Sequence, residues 1–367
     1  MTAVYLRRAQ LCSALGEDLD SACASLIAGR RPQPEWFELH EFGQRRPWLP
    51  ACGPALELLP RLQRLLDASL DGPAHDCLLL IASTTLDIAS LEGQVREGAA
   101  LQPDLATPLD WLAQRLREER GFAAACTLNT ACTSAANALL YAARLLERGR
   151  YRRALLLAFE TPSQVALQGF GVLDLTSPSA AYRPFHPERD GLLLGEAYAS
   201  VLLDREPGER PLARLLGGYS ACDTSNLTTT REDGSHIERV MRAALADAGC
   251  AAEDLDLVKL HGTATAANDR AEANGMRLTF GAAMPPLQAL KPYLGHTLGA
   301  CGLSETLLLA AALRRGALPA CPYADAALLP LPAQPQALAA GSLLLANYFG
   351  FGGNNASLVL QGVDACA

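Results

Sequence analysis

Short apolar runs alternate with longer segments of helical periodicity along this chain. Six runs of five to seven mostly aliphatic residues predict strands that are buried on both faces. They are residues 77–83, 154–159, 199–203, 255–260, 343–347 and 356–360. Six longer segments repeat apolar residues every three or four positions, which predicts helices. They are residues 18–28, 108–120, 133–148, 235–248, 269–280 and 304–314.

Strands that alternate with helices in this way predict an α/β protein with layered sheets. The two halves of the chain follow a similar plan, because each contains a strand that leads through a turn with a candidate reactive residue into a long helix. A segment with proline and glycine, residues 205–211, lies near the midpoint. We therefore expect two similar halves, residues 1–205 and 206–367.

Composition and charge narrow the function classes. Of the 367 residues, 50% are hydrophobic and 19% are charged, which is typical of a folded globular chain. The net charge of −8 argues against non-specific nucleic-acid binding. No apolar run approaches the ~20 residues that a membrane span needs, and the N-terminus lacks a signal-peptide pattern. We expect a cytoplasmic protein without a membrane span.

Cysteine and lysine usage add two constraints. The 11 cysteines are scattered without a C-x-x-C pair, which argues against a zinc site, a thioredoxin-like site and a disulfide framework. Only two of the 31 basic residues are lysines, Lys259 and Lys291. Arginine replaces lysine readily on a solvated surface, but it cannot supply a compact ammonium in a tight site. We therefore expect Lys291, which lies near other candidate residues, to be functional.

Small residues surround Cys132 in NTACTSAANAL, residues 129–139, and an amphipathic helix follows. The thiol is expected at a helix N-terminus, where the helix dipole and free N–H groups favour a thiolate and can hold an oxyanion. A buried structural cysteine at a helix start is the simpler alternative. The small neighbours leave room for a substrate, which favours a nucleophile.

A candidate histidine, His261, ends a predicted strand in KLHGTATAAND, residues 259–269. The carboxyl end of a strand is where α/β proteins place reactive groups. A histidine that is satisfied within a loop is the alternative. We expect the next helix to begin near Asp269, and Asp269 with Glu272 resembles a capping box, which has a purely structural role.

A second histidine, His296, lies among glycines in LKPYLGHTLGACGLSE, residues 290–305, and glycines allow close backbone approach. Lys291 lies five residues before it, and Glu305 at the next helix start is a candidate partner for that lysine. A solvated glutamate is the alternative for Glu305.

A glycine-rich segment, NYFGFGGNN at residues 347–355, follows a predicted strand and is typical of a turn defined by its backbone. Its N–H groups are candidates to complete an oxyanion hole with the N–H of Cys132. Neither a G-x-G-x-x-G that opens a helix nor a P-loop is present, so the sequence does not indicate nucleotide binding.

Together these motifs resemble those of β-ketoacyl-acyl-carrier-protein synthases of the type I/II elongating kind. Four occur in the family's order: TACTSAANAL around Cys132, HGTATAAND around His261, KPYLGHTLGACG around Lys291 and His296, and NYFGFGGNN near the end. A fifth stretch, YRPFHPERDGLLLGEA, also fits. The resemblance implies a thiolase fold, in which two similar halves form α-β-α-β-α layers, usually as a homodimer.

The resemblance also implies roles for individual residues. Cys132 would accept an acyl chain from a carrier-protein thioester. His261 and His296 would hold the malonyl carbonyl and assist decarboxylation, while Lys291 and Glu305 would orient the site.

Further implied roles concern the substrate's path. The N–H groups of Cys132 and Phe351 would form the oxyanion hole, and Phe351 would gate the site. Thr263 and Thr265 would contact the pantetheine arm. The implied partner is an acyl carrier protein, whose phosphopantetheine carries the substrates, and no metal or organic cofactor is implied. Two basic patches are candidates for docking this acidic partner: Arg148, Arg150, Arg152 and Arg153, or Arg45 and Arg46.

Several positions depart from the family pattern. Asn268 stands where glycine is usual, His186 stands where aspartate is usual, and AFETPS at residues 158–163 replaces a turn with two glycines. The stretch GLLLGEAYAS and a short region before Cys132 also differ. These departures leave the implied catalytic set intact and favour a pathway-specific synthase for fatty acids, polyketides or aryl-polyene-like products.

Three functions stay open at this point. The first is an active condensing enzyme of the elongating type, favoured by His296 where initiating synthases have asparagine. The second is a non-catalytic chain-length-factor partner in a ketosynthase heterodimer, although such partners usually lose the nucleophilic cysteine. The third is a starter-unit decarboxylase or acyltransferase on the same fold, which typically alters that cysteine as well.

Overall fold

The computed structural model describes residues 3–39, 44–54, 57–86, 88–98, 109–225, 230–325 and 327–363. The strands are β1 Val4–Ser13, β2 Glu35–Leu39, β3 Gln44–Leu49, β4 Cys77–Ala82, β5 Ala124–Leu128, β6 Arg153–Glu160, β7 Leu194–Gly195, β8 Ala197–Asp204, β9 Ala213–Cys222, β10 Leu257–Lys259, β11 Leu287–Gln288, β12 Ala317–Leu318, β13 Gln336–Ala337, β14 Leu343–Phe349 and β15 Asn354–Gly362. The α-helices are α1 Leu19–Ile27, α2 Leu58–Ser69, α3 Ile88–Arg96, α4 Leu109–Arg120, α5 Ser134–Glu147, α6 Gln164–Val172, α7 Ser235–Ala248, α8 Ala266–Phe280, α9 Lys291–Leu294 and α10 Cys301–Arg315.

Ten strands form one sheet in the order β11-β10-β14-β15-β9-β1-β8-β6-β4-β5. The sheet divides into two sets of five strands, and the chain follows the same path through both. In each set, the strand that comes first in the chain lies at the centre of the whole sheet. The second and third strands form a parallel pair at the outer edge, and the fourth and fifth strands fill the space between the first and the second. The sets meet where β1 pairs antiparallel with β9. The fold is therefore duplicated.

Helices complete five layers around the two strand sets. The central layer is α5 packed against α10, and both helices contact strands of both sets. Helices α2 and α4 cover the outer face of the first set, while α7 covers the outer face of the second set with α8 packed against it. This is the α-β-α-β-α layering that the family resemblance implies.

The central helices come unusually close to each other because their contact residues are small. A Cβ at Gly302 of α10 would lie 2.2 Å from the backbone nitrogen of Ala136 in α5, so only glycine fits there. The inward face of α5 is likewise rich in buried alanine. The close approach brings the start of α5 and the segment before α10 together.

Most predicted elements are confirmed. The six predicted strands coincide with β4, β6, β8, β10, β14 and β15, and five predicted helices coincide with α1, α4, α5, α7 and α10. Residue 108, the predicted start of one helix, lies outside the described residues. One predicted start is wrong, since α8 begins at Ala266 rather than near Asp269. Strands β1 and β9 at the centre of the sheet are not predicted.

The predicted division at residues 205 and 206 falls between β8 and β9, and that the two halves are separate domains stays a prediction. Within the described ranges, no helix is both long enough and apolar enough to cross a membrane. Ten cysteines are described and all are free thiols, while Cys366 lies outside the described residues.

Candidate active site

Cys132 lies in the tight turn between β5 and the first residue of α5, as the sequence predicts. The preceding residue, Ala131, has a φ of 53°, a strained value for a residue with a side chain. Ser134 stabilises this turn, because its Oγ accepts the Thr130 N–H at 2.9 Å and donates to the Ala131 carbonyl at 2.6 Å. The turn holds a thiol that is only 2% exposed at the N-terminus of the central helix.

His296 reaches this thiol from the second half of the chain. Its Nε2 lies 3.1 Å from the Cys132 Sγ. The backbone of His296 is fixed by β7, since its N–H donates to Leu193 at 2.7 Å and its carbonyl accepts from Gly195 at 3.0 Å. The two residues precede α5 and α10, so the close packing of those helices sets the distance between them.

His261 follows β10 and stands beside His296, with the ring centroids 5.4 Å apart and the rings nearly perpendicular. Its backbone N–H donates to Glu272 at 2.6 Å, and the N–H of Gly262 donates to the same carboxylate at 2.8 Å. Glu272 therefore fixes the loop that carries His261.

This contact corrects the interpretation of Asp269 and Glu272 as a capping box. Both residues lie inside α8, and both are fully buried. The Asp269 carboxylate accepts the N–H groups of Phe185 at 2.6 Å and Ala264 at 3.2 Å, in the loops beside the helix. The two carboxylates therefore bind neighbouring loops and do not cap the helix.

A buried ion pair stands behind His261. Lys291 Nζ lies 2.7 Å from Glu305 Oε1 and 3.2 Å from His261 Nδ1, and all three side chains are at most 1% exposed. An ammonium can only donate, so His261 Nδ1 accepts and its proton is assigned to Nε2. That Nε2, like His296 Nδ1, has no hydrogen-bond partner within the described part of the chain. His261 thus carries a free N–H donor close to His296.

Phe351 lies between two cavities. One, of about 250 Å³, is lined by Cys132 and Phe351 together with Thr84, Thr85, Ile88, Ala131, Ser163, Val165, Ala166, Phe170 and Leu298. The other is smaller and is lined by Phe351 with Thr263, Thr265 and Asn268 among others. The Phe351 ring contacts Phe170 edge-on at a centroid distance of 5.4 Å. Phe351 therefore borders both the cavity that contains Cys132 and the cavity that contains Thr263 and Thr265.

Two family models match adjoining parts of the chain. The N-terminal domain model of β-ketoacyl synthases matches residues 115–208, and the C-terminal domain model matches residues 212–324. The chain belongs to the β-ketoacyl synthase family. The 3-oxoacyl-[acyl-carrier-protein] synthase 2 of Rhizobium meliloti is 32% identical over 253 residues, which are 63% of this chain and 59% of the relative. A putative polyketide β-ketoacyl synthase 1 of Streptomyces cyaneus is 30% identical over 257 residues, 64% of this chain and 60% of the relative.

This β-ketoacyl synthase chain thus aligns with about three-fifths of the length of these curated relatives. Solved structures match it almost throughout. A ketosynthase in complex with its chain length factor from Xenorhabdus doucetiae aligns with a TM-score of 0.84 at 25% identity, covering 99% of this chain and 98% of that one. A β-ketoacyl synthase from Burkholderia phymatum aligns with a TM-score of 0.85 at 24% identity, covering 99% and 100%. The predicted thiolase fold is confirmed.

Burial sets the protonation states in this ketosynthase site. Desolvation, aided by the positive charge of Lys291, lowers the pKa of both His261 and His296 well below the usual value, so both imidazoles are neutral near pH 7. Desolvation also raises the pKa of Cys132 to about 11, although the N–H groups of Phe351 and Cys132 oppose the rise. The sequence analysis expects the helix terminus to favour a thiolate. In the structure, burial raises the pKa of Cys132 by more than the helix terminus lowers it, so the thiol is protonated near pH 7.

Two buried charged residues that contact this site escape the sequence analysis. Lys259 Nζ lies 2.6 Å from Glu305 Oε2, and the rarity of lysine is the signal that marks it. Glu160, in the AFETPS departure, accepts from Thr84 Oγ1 at 2.6 Å and from the Gly299 N–H at 3.0 Å. Glu160 joins the loop after β4 to the turn after His296, beside the larger cavity.

Proposed function

We propose that this chain is a β-ketoacyl-acyl-carrier-protein synthase. It transfers an acyl group to Cys132 and condenses it with malonyl-acyl-carrier protein, in the synthesis of a fatty acid, polyketide or aryl-polyene-like product. The observation that carries the proposal is the 3.1 Å contact between Cys132 Sγ and His296 Nε2 beside a neutral His261.

Acylation of Cys132 is the first step. The protonated thiol gives its proton to the neutral His296, and the sulfur attacks the carbonyl carbon of the acyl thioester. The carrier's C–S bond then breaks, and the leaving thiolate takes the proton from His296. The N–H groups of Cys132 and Phe351 approach the sulfur, where they stabilise the oxyanion that forms during the attack.

Decarboxylation is the second step. The bond between the malonyl α-carbon and its carboxylate breaks, CO2 leaves, and the electron pair forms an enolate on the thioester. The N–H of His261 Nε2 faces this oxygen. Once Cys132 is acylated, its sulfur no longer offers a proton to His296 Nε2, so His296 carries its own proton there and is a second donor. Donors aimed at developing charge lower the barrier.

Condensation completes the cycle. The enolate α-carbon attacks the acyl carbonyl on Cys132, a new carbon–carbon bond forms, and the bond between that carbonyl carbon and the Cys132 sulfur breaks. The departing thiolate then takes up one proton from solvent, which replaces the proton that left with the first carrier. The product is a β-ketoacyl chain that remains on the carrier and is longer by one acetyl unit.

Substrates arrive on the phosphopantetheine arm of an acyl carrier protein, and no separate cofactor takes part. The arm enters past Thr263 and Thr265, whose hydroxyls are 2.9 Å apart, and Phe351 turns aside to admit it. The acyl chain occupies the cavity of about 250 Å³ beside Cys132.

The carrier docks on a basic surface, for which Arg148, Arg150 and Arg152, or Arg45 and Arg46, are candidates. Arg153 drops out of the first patch, because its guanidinium binds Asp76 and its side chain is 11% exposed. That patch follows the far end of the 14-residue α5, roughly 20 Å from the end that carries Cys132.

The synthase works in the cytoplasm as a homodimer or as a heterodimer with another ketosynthase chain. The free state of the ten described cysteines supports a reducing compartment. Exposed Val165 and Val172 on α6, followed by Leu173, support a protein contact near the acyl cavity.

A non-catalytic chain-length-factor role is the alternative. Structures similar to this chain include complexes of a ketosynthase with its chain length factor. The assembled cysteine, histidine and lysine side chains favour the catalytic role over that alternative.

Intact-mass analysis tests the proposal. The purified chain is mixed with a panel of acyl groups on a carrier protein, and malonyl-carrier protein is then added. We expect an acyl adduct that disappears on malonyl addition as the ketoacyl product appears. Cys132→Ala should abolish the adduct, whereas Cys23→Ala, which removes a buried thiol in α1, should keep it. Absence of an adduct with every acyl group would favour the chain-length-factor role.

A further inference from the structure

The two lysines of this chain converge on one carboxylate. Lys291 Nζ lies 2.7 Å from Glu305 Oε1, and Lys259 Nζ lies 2.6 Å from Glu305 Oε2. All three side chains are at most 1% exposed. The proposed mechanism uses Lys291 and Glu305 but gives Lys259 no part.

Lys259 is held tightly by its surroundings. Its Nζ donates to the Asn347 carbonyl at 2.7 Å and lies 3.6 Å from the centroid of the Tyr348 ring, both on β14. This compact position suits an ammonium and not the broad guanidinium of arginine. Lys259 lies on β10, two residues before His261. The strand that carries the histidine therefore also carries the second cation.

One ammonium is enough to neutralise Glu305. A second fully buried ammonium leaves an excess positive charge, which is unfavourable for a pair that serves only stability. The same excess charge is favourable where negative charge develops during a reaction. The carboxylate of Glu272, which also faces this region, has a pKa raised to about 7 by burial, so at neutral pH it cancels the excess only in part.

We propose that Lys259 is a positioning residue that acts through Glu305 and Lys291 on His261. By occupying Glu305 Oε2, it leaves Lys291 on Oε1 and free to donate to His261 Nδ1, which keeps the His261 proton on Nε2. Its positive charge also opposes protonation of both histidines and favours the enolate. The inference rests on the proposed function for its catalytic consequence, but the His261 tautomer can be measured without turnover.

The pH dependence follows from the groups around Lys259. These are Glu305, Lys291, Glu272, Cys301, Tyr348 and the two site histidines. Burial and the neighbouring Lys291 lower the pKa of Lys259 to about 8, whereas Glu305 raises that of Lys291. Lys259 is therefore charged below pH 8 and loses its proton first as the pH rises, so decarboxylation should decline above about pH 8.

The kinetic test measures CO2 release from malonyl-coenzyme A between pH 6 and pH 9.5, in a Cys132→Ala background where that thiol cannot titrate. Lys259→Met should lower kcat at pH 7 by about 10- to 100-fold, as is typical when a supporting residue is lost, with KM little changed. It should also abolish the decline above pH 8. An unchanged kcat and pH profile in Lys259→Met would overturn the proposal.

Thr306→Val is the matched control. Thr306 is buried and bonds the Tyr348 hydroxyl at 2.8 Å, so its loss disturbs the same core without removing a charge. We expect a lower Tm with the parent pH profile. The same profile change in Thr306→Val as in Lys259→Met would show that Lys259 acts only through packing and would overturn the proposal.

Nitrogen-15 NMR of labelled histidines is a second test, and it does not depend on turnover. In the wild type, the His261 resonances, assigned with His261→Gln, should show the Nε2–H tautomer and shift near pH 8 as Lys259 loses its proton. Lys259→Met should mix the tautomers and raise the pKa of His261. A wild-type His261 that shows the Nδ1–H tautomer, or no shift between pH 7 and pH 9, would overturn the proposal even if Lys259→Met does not fold. Wild-type protein that releases no CO2 would instead contradict the proposed function, and NMR would still decide the role of Lys259.

Discussion

Each half of the chain contributes a buried glutamate near the site, but the two glutamates have different surroundings. Glu160, at the end of β6, is held by neutral donors: the hydroxyl and backbone groups of Thr84 and Thr85 and the Gly299 N–H. Glu305, in α10, is held by the ammonium groups of Lys259 and Lys291. The first-half carboxylate is thus held by uncharged donors beside the larger cavity, whereas the second-half carboxylate is held by cations where, in the proposed mechanism, malonyl would lose CO2.

The reactive residues divide in the same way. Cys132 and His296 occupy equivalent positions, since each follows the third strand of its set and precedes a central helix. In the proposed mechanism, one half supplies the nucleophile and the other supplies its base. Two copies of one fold can thus carry different reactive groups and different charge environments.

The largest expected effect comes from removing the nucleophile. Cys132→Ser should lower condensation by at least about 1,000-fold, because the hydroxyl is a much weaker nucleophile beside the neutral His296. The measurement is ketoacyl product formed from acyl- and malonyl-carrier protein. CO2 release should continue, since the second half keeps its donors. Loss of both activities together would contradict the division between the halves.

His261→Ala should separate the two half-reactions in the opposite sense. It removes one hydrogen-bond donor, so CO2 release should fall by about 100- to 1,000-fold. Acylation of Cys132, followed by intact mass, should continue because His296 remains. His296→Ala is the comparison variant and should impair both steps. Equal impairment of acylation by the two variants would show that the two histidines do not differ in role.

The contact between the central helices α5 and α10, one from each half, can be tested through Gly302. Gly302→Ala places a Cβ 2.2 Å from the Ala136 nitrogen and should lower the free energy of unfolding by about 1–3 kcal/mol. Gly169→Ala in α6 is the matched control, because its Cβ meets nothing within 4 Å and alanine favours a helix by about 0.5–1 kcal/mol. Chemical denaturation measures both. A stable Gly302→Ala variant would show that α5 and α10 separate easily.

The smallest expected effect concerns Glu160. Glu160→Gln turns an NH2 group towards donors of Thr84, Thr85 or Gly299, so the free energy of unfolding should fall by about 1–2 kcal/mol. CO2 release should be nearly unchanged, in contrast to Lys259→Met. A large loss of CO2 release with normal stability would show that the first-half carboxylate also serves the reaction.

Sequence reasoning locates elements whose pattern is uniform and misses those that are irregular. Strand β4 is apolar throughout and fully buried, so its pattern alone predicts it. Strand β1 contains Arg7 and Arg8, and its pairing with β8 shifts register after Arg7. Strand β9 contains Gly217, where a Cβ would lie 2.7 Å from Ala248. The reasons for these two strands lie in packing partners that are distant in sequence.

The same limit applies to the site. Motifs locate Cys132, His261 and His296, because their turns have distinctive glycines and small residues. The inward direction of Asp269 and Glu272 depends on loops that only the fold brings near, and a local capping pattern misleads there. The pKa of Cys132 also depends on enclosure by several segments and not on its helix alone.

The enclosed Cys132 thiol has a consequence for the lifetime of the protein. Oxidation by peroxide requires an exposed thiolate. Cys132 is 2% exposed and its pKa is raised to about 11, so we expect its thiol to resist sulfenic acid formation in the absence of substrate. Its base, His296, arrives from the other half of the chain, so an incompletely folded chain does not yet have the pair that activates it. In the proposed mechanism, Cys132 is therefore reactive only in the folded chain with a substrate in place.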